Sequence, residues 1–148
     1  MTRAEQKALK IQKENEFIES IKGKRINQDE KNKFRKTTPW RNARKEKEVA
    51  GYKVFKNGKK RPIRNVDYIT KKPLGKRWNL HHIDLNPAHY TDLNPELLIP
   101  LNPGMHDDVL HYLYSLMCRD RTVLDRLIEV LNKMGEVNNW KDVSDFEA

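Results

Sequence analysis

The histidine-bearing stretch at residues 78–116 constrains the fold more than any other part of the chain. It reads WNLHHIDLNPAHYTDLNPELLIPLNPGMHDDVLHYLYSL. An apolar and aromatic run leads into His81 and His82, a polar loop follows, a second apolar run covers 97–101, and His106 opens a helical pattern. This order predicts strand, loop, strand and helix. Because imidazole can bind a divalent metal and accept a proton near neutral pH, the stretch is the candidate site.

Basic residues are concentrated in the first half of the chain. Residues 1–80 contain 25 Lys and Arg against 9 Asp and Glu, whereas residues 81–148 contain 5 against 12. Such a basic half indicates a polyanionic partner such as nucleic acid, and the alternative is a solvated Lys-rich surface. Aromatic residues interleave with the basic ones at Phe34, Trp40 and Tyr52. This interleaving favours nucleic acid.

The composition also excludes several classes of protein. Cys118 is the single cysteine, which excludes an internal disulfide framework and an all-cysteine zinc site. No apolar run approaches the roughly 20 residues that span a bilayer, and the N-terminal stretch lacks a hydrophobic signal core. We therefore expect an intracellular, cytoplasmic protein without a membrane partner.

The N-terminal part is predicted to be helical and basic. Good helix formers predict a charged helix over 3–22, and a polar connector without periodicity covers 22–38. Residues 1–37 are therefore expected to form a basic arm outside the main domain. Pro39 at a first helical position predicts a second helix that runs to Gly51.

A basic β-hairpin is predicted after this helix. Short β-type runs at 52–55 and 62–69 flank Asn57 and Gly58, which is a strong hairpin signal. A ribbon rich in Lys and Arg can lie along a phosphate backbone. The predicted nucleic-acid-binding residues are Arg44, Lys53, Lys56, Lys59, Lys60, Arg61, Arg64, Lys76 and Arg77.

The candidate site is predicted to comprise two strands and a helix. The histidine-bearing strand covers 76–83, the return strand covers 97–101, and a helix covers 106–117. Asn102, followed by proline, is expected to cap this helix.

A last helix is predicted over 123–133, between a capping Asp120 and Gly135. Its apolar stripe is expected to pack on the domain or on a second copy, which makes it the predicted homodimer face. The main domain is expected to cover 38–135, and an acidic tail covers 136–148.

The adjacent histidines are expected to have different roles. Neighbouring residues on a strand point to opposite faces, so one of His81 and His82 can bind a metal together with His106. The other can then face the attacking water. The residues alone do not decide which is which.

Three blocks of the sequence, in order, resemble the HNH endonuclease family, the His-Me finger or ββα-metal nucleases, over roughly residues 35–112. The family's lead-in helix and knuckle, W-x-x-x-R and G-Y-x-C-x-x-C-G, resemble FRKTTPWRNARKEKEVAGYKVFKNGKK. Its histidine-bearing strand resembles LHHID, and its segment E-N-L-x-x-L-C-x-x-C-H resembles PELLIPLNPGMH.

This resemblance implies an α+β fold with a ββα-metal core, a preceding β-hairpin, an N-terminal helical basic arm and C-terminal helices. It implies a divalent-metal-dependent endonuclease that leaves a 5′-phosphate and a 3′-hydroxyl on DNA, in a bacterium or a phage-infected cell. By resemblance, His82 is the general base, and His81 and His106 bind one ion per site. Mg²⁺ or Mn²⁺ is expected, with Ni²⁺ or Zn²⁺ as alternatives that suit imidazole.

The sequence lacks the cysteines that bind a structural zinc in many family members. Those positions hold Val54, Asn57, Asn102 and Met105. None is a thiolate, so no structural zinc is expected, and Val54 and Met105 are expected to pack in the core instead.

The family's middle asparagine falls on Leu97, which cannot form its hydrogen bonds. Asn94 is therefore predicted to take the catalytic role of this asparagine, with Asn86 as the alternative.

The other polar residues near the histidines receive weaker assignments. His111, Asp107 and Asp108 are either auxiliary ligands or exposed residues of the helix, and the second reading is favoured because His111 lies five residues after His106 rather than four. His89 is read as a surface residue. A non-catalytic DNA-binding or partner-inhibiting protein on this scaffold is the alternative function, and cleavage of RNA is a third.

Overall fold

A computed structural model describes residues 1–138, which form five α-helices, one π-helix and four strands. In chain order these are α1 (Arg3–Ile21), α2 (Gln28–Phe34), α3 (Thr38–Glu48), β1 (Val49–Val54), β2 (Lys60–Arg64), β3 (Asn79–His82), β4 (Leu98–Leu101), the π-helix (Gly104–His111), α4 (Tyr112–Arg119) and α5 (Val123–Asn138). The strands pair as two small antiparallel sheets, β1–β2 and β3–β4. This mixture of helices and antiparallel sheets confirms the predicted α+β class.

The chain divides into two compact units, Met1–Pro103 and the part from Gly104 onward. A boundary after Pro103 is not among those that the sequence predicts. No helix within residues 1–138 combines the length and the apolar character needed to cross a membrane.

Helix α1 has a polar beginning and an apolar end. Thr2 and Glu5 form a capping box that satisfies two backbone N–H groups at its start. The sequence predicts a charged arm outside the core, but Ile21 is buried and Phe17 and Ile18 pack against the same core. This prediction is wrong for the last turns of the helix, because three apolar residues within five positions are sufficient to dock them.

Helix α2 lies where the sequence predicts a connector without secondary structure. Asn27 and Glu30 form a second capping box at its start. At its end, Phe34 is only 1% exposed, and its ring meets Trp40 edge-on at a centroid distance of 6.0 Å. The connector prediction is therefore wrong. The capping pair and one buried aromatic residue outweigh the polar composition of the segment.

The core of the first unit joins helices α1 to α3 to the histidine-bearing sheet. It is a single cluster of buried apolar side chains. Its members are Ile21, Ile26, Phe34, Trp40, Leu74, Trp78, Leu80 and Leu98.

The predicted hairpin is present, although its first strand begins earlier than expected. The chain leaves α3 at Glu48 instead of continuing to Gly51, and β1 pairs with β2 so that Tyr52 lies opposite Pro62. At the turn, Gly58 adopts a φ of +80°, a left-handed conformation that favours glycine. Val54 is 63% exposed on this ribbon, so the expectation that it packs in the core is wrong.

Strands β3 and β4 form the sheet that carries the adjacent histidines. The register sets His81 opposite Ile99 and His82 opposite Leu98. Leu98 and Leu101 are buried, which anchors β4 in the first unit. The predicted strand pair is thus confirmed, with Pro100 accommodated because the sheet has only two strands.

A buried carboxylate ties the end of β4 to the connection between β2 and β3. The Asp67 side chain is fully buried, and its Oδ1 accepts hydrogen bonds from the backbone N–H groups of Ile69 and Thr70. Its Oδ2 accepts a 2.7 Å bond from the backbone N–H of Asn102. The Asn102 side chain in turn accepts from the backbone N–H of Gly75. The prediction that Asn102 caps the following helix is therefore wrong, since its side chain holds the loop instead.

The second unit consists of the π-helix, α4 and α5. The predicted α-helix over 106–117 is a π-helix as far as His111 and an α-helix only from Tyr112. Helix α5 continues through Gly135 to Asn138, so the predicted end at Gly135 is wrong. None of the residues in α5 is buried, and the apolar stripe proposed as a homodimer face is largely exposed. The rest of the predicted acidic tail lies outside the described residues.

Replacing Asp67 is expected to destabilise the first unit. Burial alone would raise the pKa of this carboxyl, but hydrogen bonds from Thr70, Asn102 and Ile69 outweigh burial and lower the pKa below its usual value. Asp67→Ala leaves three backbone donors without their acceptor and should lower the free energy of unfolding by about 2–3 kcal/mol at neutral pH. Asp67→Asn keeps one acceptor oxygen and should cost less. Urea denaturation measures both losses.

The pH dependence provides the control for this experiment. Because the folded-state pKa is lowered, the stabilisation is present above the unfolded-state pKa of about 3.9 and is lost as the pH falls through the folded-state value. The advantage of the wild type over Asp67→Asn should therefore shrink in acid. Equal unfolding free energies for all three proteins at neutral pH would contradict the assigned role.

Candidate functional site

His82 is held in a stack of aromatic rings. It lies on β3, and its ring stacks on Tyr90 at a centroid distance of 4.8 Å and on Trp40 at 5.9 Å. Trp40 and Tyr90 also stack on each other at 5.9 Å, and Phe34 meets both rings edge-on. Rings in such contact restrict the rotation of the imidazole, so the direction of its nitrogens is fixed by packing.

One ring nitrogen of His82 is bound to the backbone. Nε2 lies 2.8 Å from the carbonyl oxygen of Tyr90. A carbonyl oxygen can only accept a hydrogen bond, so Nε2 carries the proton and Nδ1 of the neutral ring has the free electron pair. Burial is the main cause that lowers the pKa of His82, partly opposed by the bond to Tyr90. A neutral ring with Nδ1 as a proton acceptor is therefore the expected form at neutral pH.

His81 lies in a different environment from its neighbour. It is 8% exposed, whereas His82 is half-buried. Since successive residues on a strand point to opposite faces, the aromatic stack is on the side away from His81. The two adjacent histidines therefore have separate surroundings, as the sequence predicts.

The π-helix brings His106 and His111 together. In a π-helix the backbone bonds connect residues five apart, so side chains at i and i+5 lie one above the other. The two Nε2 atoms are 3.0 Å apart, and the rings meet edge-on. His111 is exposed, as the favoured interpretation expects, but the argument that five-residue spacing separates it from His106 assumed an α-helix and is wrong for this π-helix.

The outer nitrogen of His106 contacts a carboxylate. Nδ1 lies 2.7 Å from Oδ1 of Asp107, which can only accept, so this nitrogen carries the proton and Nε2 has the electron pair. A carboxylate in this position is a common orienting group for a metal-binding imidazole. Burial, and after it the proximity of His106, lowers the pKa of His111, which favours the neutral ring that metal binding requires.

Three imidazoles are close enough to bind one metal ion. His81, His106 and His111 each offer a ring nitrogen, and these atoms lie within 4.8 Å of one another. Two nitrogens that bind one ion at about 2.1 Å lie about 3.0 Å apart at a right angle and about 3.4 Å apart in a tetrahedron. The 3.0 Å between His106 and His111 fits this requirement, and it also fits an N–H···N hydrogen bond when one of the nitrogens is protonated.

The two asparagines considered for the catalytic role both cap short turns. Oδ1 of Asn94 accepts from the backbone N–H of Glu96, at the start of the 3₁₀ turn Pro95–Leu97. Asn86 caps the preceding turn, Pro87–His89, in the same way. The catalytic role of Asn94 stays a prediction. The described contact that orients the ring of His82 is with the carbonyl of Tyr90.

Two of the predicted nucleic-acid-binding residues, Arg44 and Arg64, contact parts of the first unit outside the hairpin. The Arg44 guanidinium lies 3.9 Å from the ring centroid of the buried Trp78. Arg64 donates to the carbonyl oxygens of Leu74 and Gly75 and forms an ion pair with Glu48. These contacts stabilise the first unit, so a role in binding would come in addition to them.

The remaining basic residues of the prediction are exposed. Five are on the hairpin and two precede β3, where a polyanion can reach them. They are Lys53, Lys56, Lys59, Lys60, Arg61, Lys76 and Arg77.

Three residues of the site are absent from the sequence-based prediction or rejected by it. No local signal marks the π-helix that turns His111 toward His106. In the sequence, Trp40 is noted only as an aromatic residue among basic ones, and Tyr90 is not singled out, although an aromatic residue in a polar loop between two strands is a usable signal.

In comparisons with family models, curated proteins and solved structures, nothing matches this chain. Any conclusion about function therefore depends on the side chains of the site and their geometry.

The histidine group should bind a transition-metal ion. Titration with Co²⁺ or Ni²⁺ is expected to give one site per chain by calorimetry, with affinity falling in acid as the imidazoles are protonated. His106→Ala and His111→Ala should each weaken binding at least about tenfold, because each removes one ligand.

His89→Ala is the matched control, since the structure pairs the exposed His89 with Asp84 and not with the group. Its affinity should equal that of the wild type. The metal assignment is wrong if His106→Ala and His89→Ala bind the ion equally well.

Proposed function

We propose that this chain is a divalent-metal-dependent endonuclease of the HNH type that hydrolyses phosphodiester bonds of DNA. One observation carries the proposal. A group of three imidazole nitrogens that can share an ion is accompanied by a fourth histidine, His82, whose ring is fixed and neutral with Nδ1 free of the backbone bond. A metal site and an oriented proton acceptor, carried by neighbouring residues of one strand, are the minimum machinery for metal-assisted hydrolysis.

His82 acts as the general base in this proposal. Its Nδ1 takes a proton from the attacking water, whose oxygen forms a new bond to phosphorus while the bond from phosphorus to the 3′ oxygen breaks. The products are a 5′-phosphate and a 3′-hydroxyl, and the 3′ oxygen takes its proton from solvent. The bond from Nε2 to the Tyr90 carbonyl stabilises the imidazolium that results, because the N–H donor becomes stronger when the ring is charged.

His81, His106 and His111 hold the metal ion in this proposal. A divalent ion supplies charge stabilisation on the phosphate oxygens and on the leaving oxygen when it is bound. Mg²⁺ or Mn²⁺ is the expected ion, and three nitrogen donors favour Mn²⁺, Ni²⁺ or Zn²⁺ over Mg²⁺. Asp107 orients His106 through the 2.7 Å contact at Nδ1.

The order of elements supports assignment to the ββα-metal fold. Strands β3 and β4 are followed directly in the chain by the π-helix and α4, with the predicted hairpin before them. This is the order that the sequence resemblance implies. The zinc-binding knuckles of other members are replaced here by side-chain hydrogen bonds such as those of Asn102.

A second function, DNA binding without cleavage, has one observation in its favour. Leu97 stands where the resemblance expects an asparagine, and Asn94 uses its side-chain oxygen to cap a turn. Such a protein would keep the basic surface and lose the reaction. Homodimer formation through α5 would bring two sites together and is a further proposal of the same kind.

Loss of His82 should abolish cleavage while metal binding is retained. Supercoiled plasmid with Mn²⁺ or Mg²⁺ is expected to be nicked or linearised by the wild type, and His82→Ala should be slower by about 10²–10⁴-fold, the usual contribution of a general base. His82→Phe keeps a ring between Trp40 and Tyr90, so it separates loss of the base from loss of packing.

His89→Ala provides the control with unchanged activity. Binding of plasmid without nicking in either metal would refute the nuclease and favour the binding protein. The same assay with RNA substrates tests the third candidate function, which is cleavage of RNA.

A further inference from the structure

We infer that the β1–β2 hairpin enters the major groove of duplex DNA as a two-stranded ribbon. This inference rests on the proposed DNA substrate, but it does not depend on cleavage. It goes beyond contact with the phosphate backbone, because it assigns the hairpin to one groove of one form of nucleic acid.

The hairpin is exposed on both of its faces. All five residues of β2 are exposed, as are the last three residues of β1. The exposed side chains include large apolar ones, with Tyr52 at 60%, Val54 at 63% and Ile63 at 49%. A two-stranded ribbon without cover is marginally stable in water, and its apolar side chains gain nothing from solvent. A partner that contacts both faces at once explains this composition.

The register places like charges directly opposite each other. Lys53 on β1 pairs with Arg61 on β2, so both side chains project from the same face of the ribbon. Like charges in directly opposed positions destabilise a strand pair. The next pair along the ribbon is Val54 with Lys60, so Lys60 adds a third positive charge on the opposite face. A polyanion between its two phosphate strands is the environment that converts this repulsion into attraction.

The dimensions of the hairpin fit the major groove. The five residues of β2 span about 14 Å at 3.4 Å per residue, and paired strands lie about 4.8 Å apart. The major groove is about 12 Å wide and about 8.5 Å deep, and it admits a two-stranded ribbon, whereas the minor groove is only about 6 Å wide. The outer part of the hairpin can therefore enter the major groove while its base stays attached to α3.

The side-chain chemistry also matches the major groove. Lys and Arg donate to the acceptor edge of guanine, and apolar side chains contact the thymine methyl group, which lies only in this groove. Arg61 and Lys53 provide the donors on one face, and Tyr52 and Val54 provide the apolar contacts on the other. A ribbon that lay only along the phosphates would leave Tyr52 and Val54 without a contact.

The test compares two duplexes of identical sequence in the presence of a chelator. One contains cytosine, and the other contains 5-hydroxymethylcytosine carrying glucose, which fills the major groove. Fluorescence anisotropy should show that the wild type binds the glucosylated duplex about tenfold or more weakly. Lys53→Gln/Arg61→Gln should bind the unmodified duplex more weakly and lose most of this difference between the two duplexes.

The control is Lys7→Gln/Lys10→Gln, which removes the same charge from exposed positions of α1. Its affinity for the unmodified duplex should exceed its affinity for the glucosylated duplex by the same factor as in the wild type, even if both affinities fall. Thermal melting checks the hairpin variant, whose melting temperature should stay the same or rise because the opposed charges are gone.

Equal affinity of the wild type for the two duplexes would overturn the inference. So would tighter binding to the single strand than to the duplex, or the same loss of ratio in the α1 variant. A glucose-sensitive, hairpin-dependent binder that cuts no DNA would refute the nuclease and leave the groove assignment intact. A protein that cuts DNA but binds the glucosylated and unmodified duplexes equally well would refute the groove assignment and leave the nuclease proposal intact.

Discussion

Three aromatic rings, from Trp40, His82 and Tyr90, lie against one another at centroid distances of 4.8 to 5.9 Å, and the rest of the first unit depends on this contact. It joins α3, β3 and the loop that follows β3, while Phe34 connects the same rings to α2. The stack is therefore part of the core and part of the candidate site at once. A core contact has few alternative arrangements, so the imidazole inherits the rigidity of the packing around it.

Environment rather than residue type separates the histidines of the site. His82 is half-buried against aromatic rings and bonds to a backbone carbonyl, which leaves one nitrogen for proton transfer. His106 bonds to a carboxylate through Nδ1, which leaves Nε2 toward His111. In each case the partner of one nitrogen decides the tautomer and therefore the chemistry of the other. The same side chain can then serve as a base at one position and as a ligand at another.

The sequence predicts those parts of the fold that depend on short-range patterns. The α1 helix, the Asn57-Gly58 hairpin and the pairing of the two histidine-region strands follow from propensity, turn chemistry and apolar runs. The edge-on contact of Phe34 with Tyr90 and the stacking of Trp40 on Tyr90 join residues fifty or more positions apart, which no local pattern encodes. Asn102 shows the same limit, because an asparagine at this position can either cap a helix or hydrogen-bond to a distant loop. The position of Gly75, which the local sequence does not reveal, decides between the two.

The π-helix shows how one local departure changes the chemistry that a sequence permits. With α-helical spacing, residues five apart diverge, and His111 belongs to another face than His106. A π-helical segment has the opposite effect, because its backbone bonds join residues five apart. Such segments are less stable than α-helix and persist where something else favours them. In this chain the side chains that gain from the distortion are two imidazoles with nitrogens 3.0 Å apart, a contact that an ion would strengthen. Metal binding and the π-helix should therefore stabilise each other, since whatever favours one arrangement lowers the cost of the other.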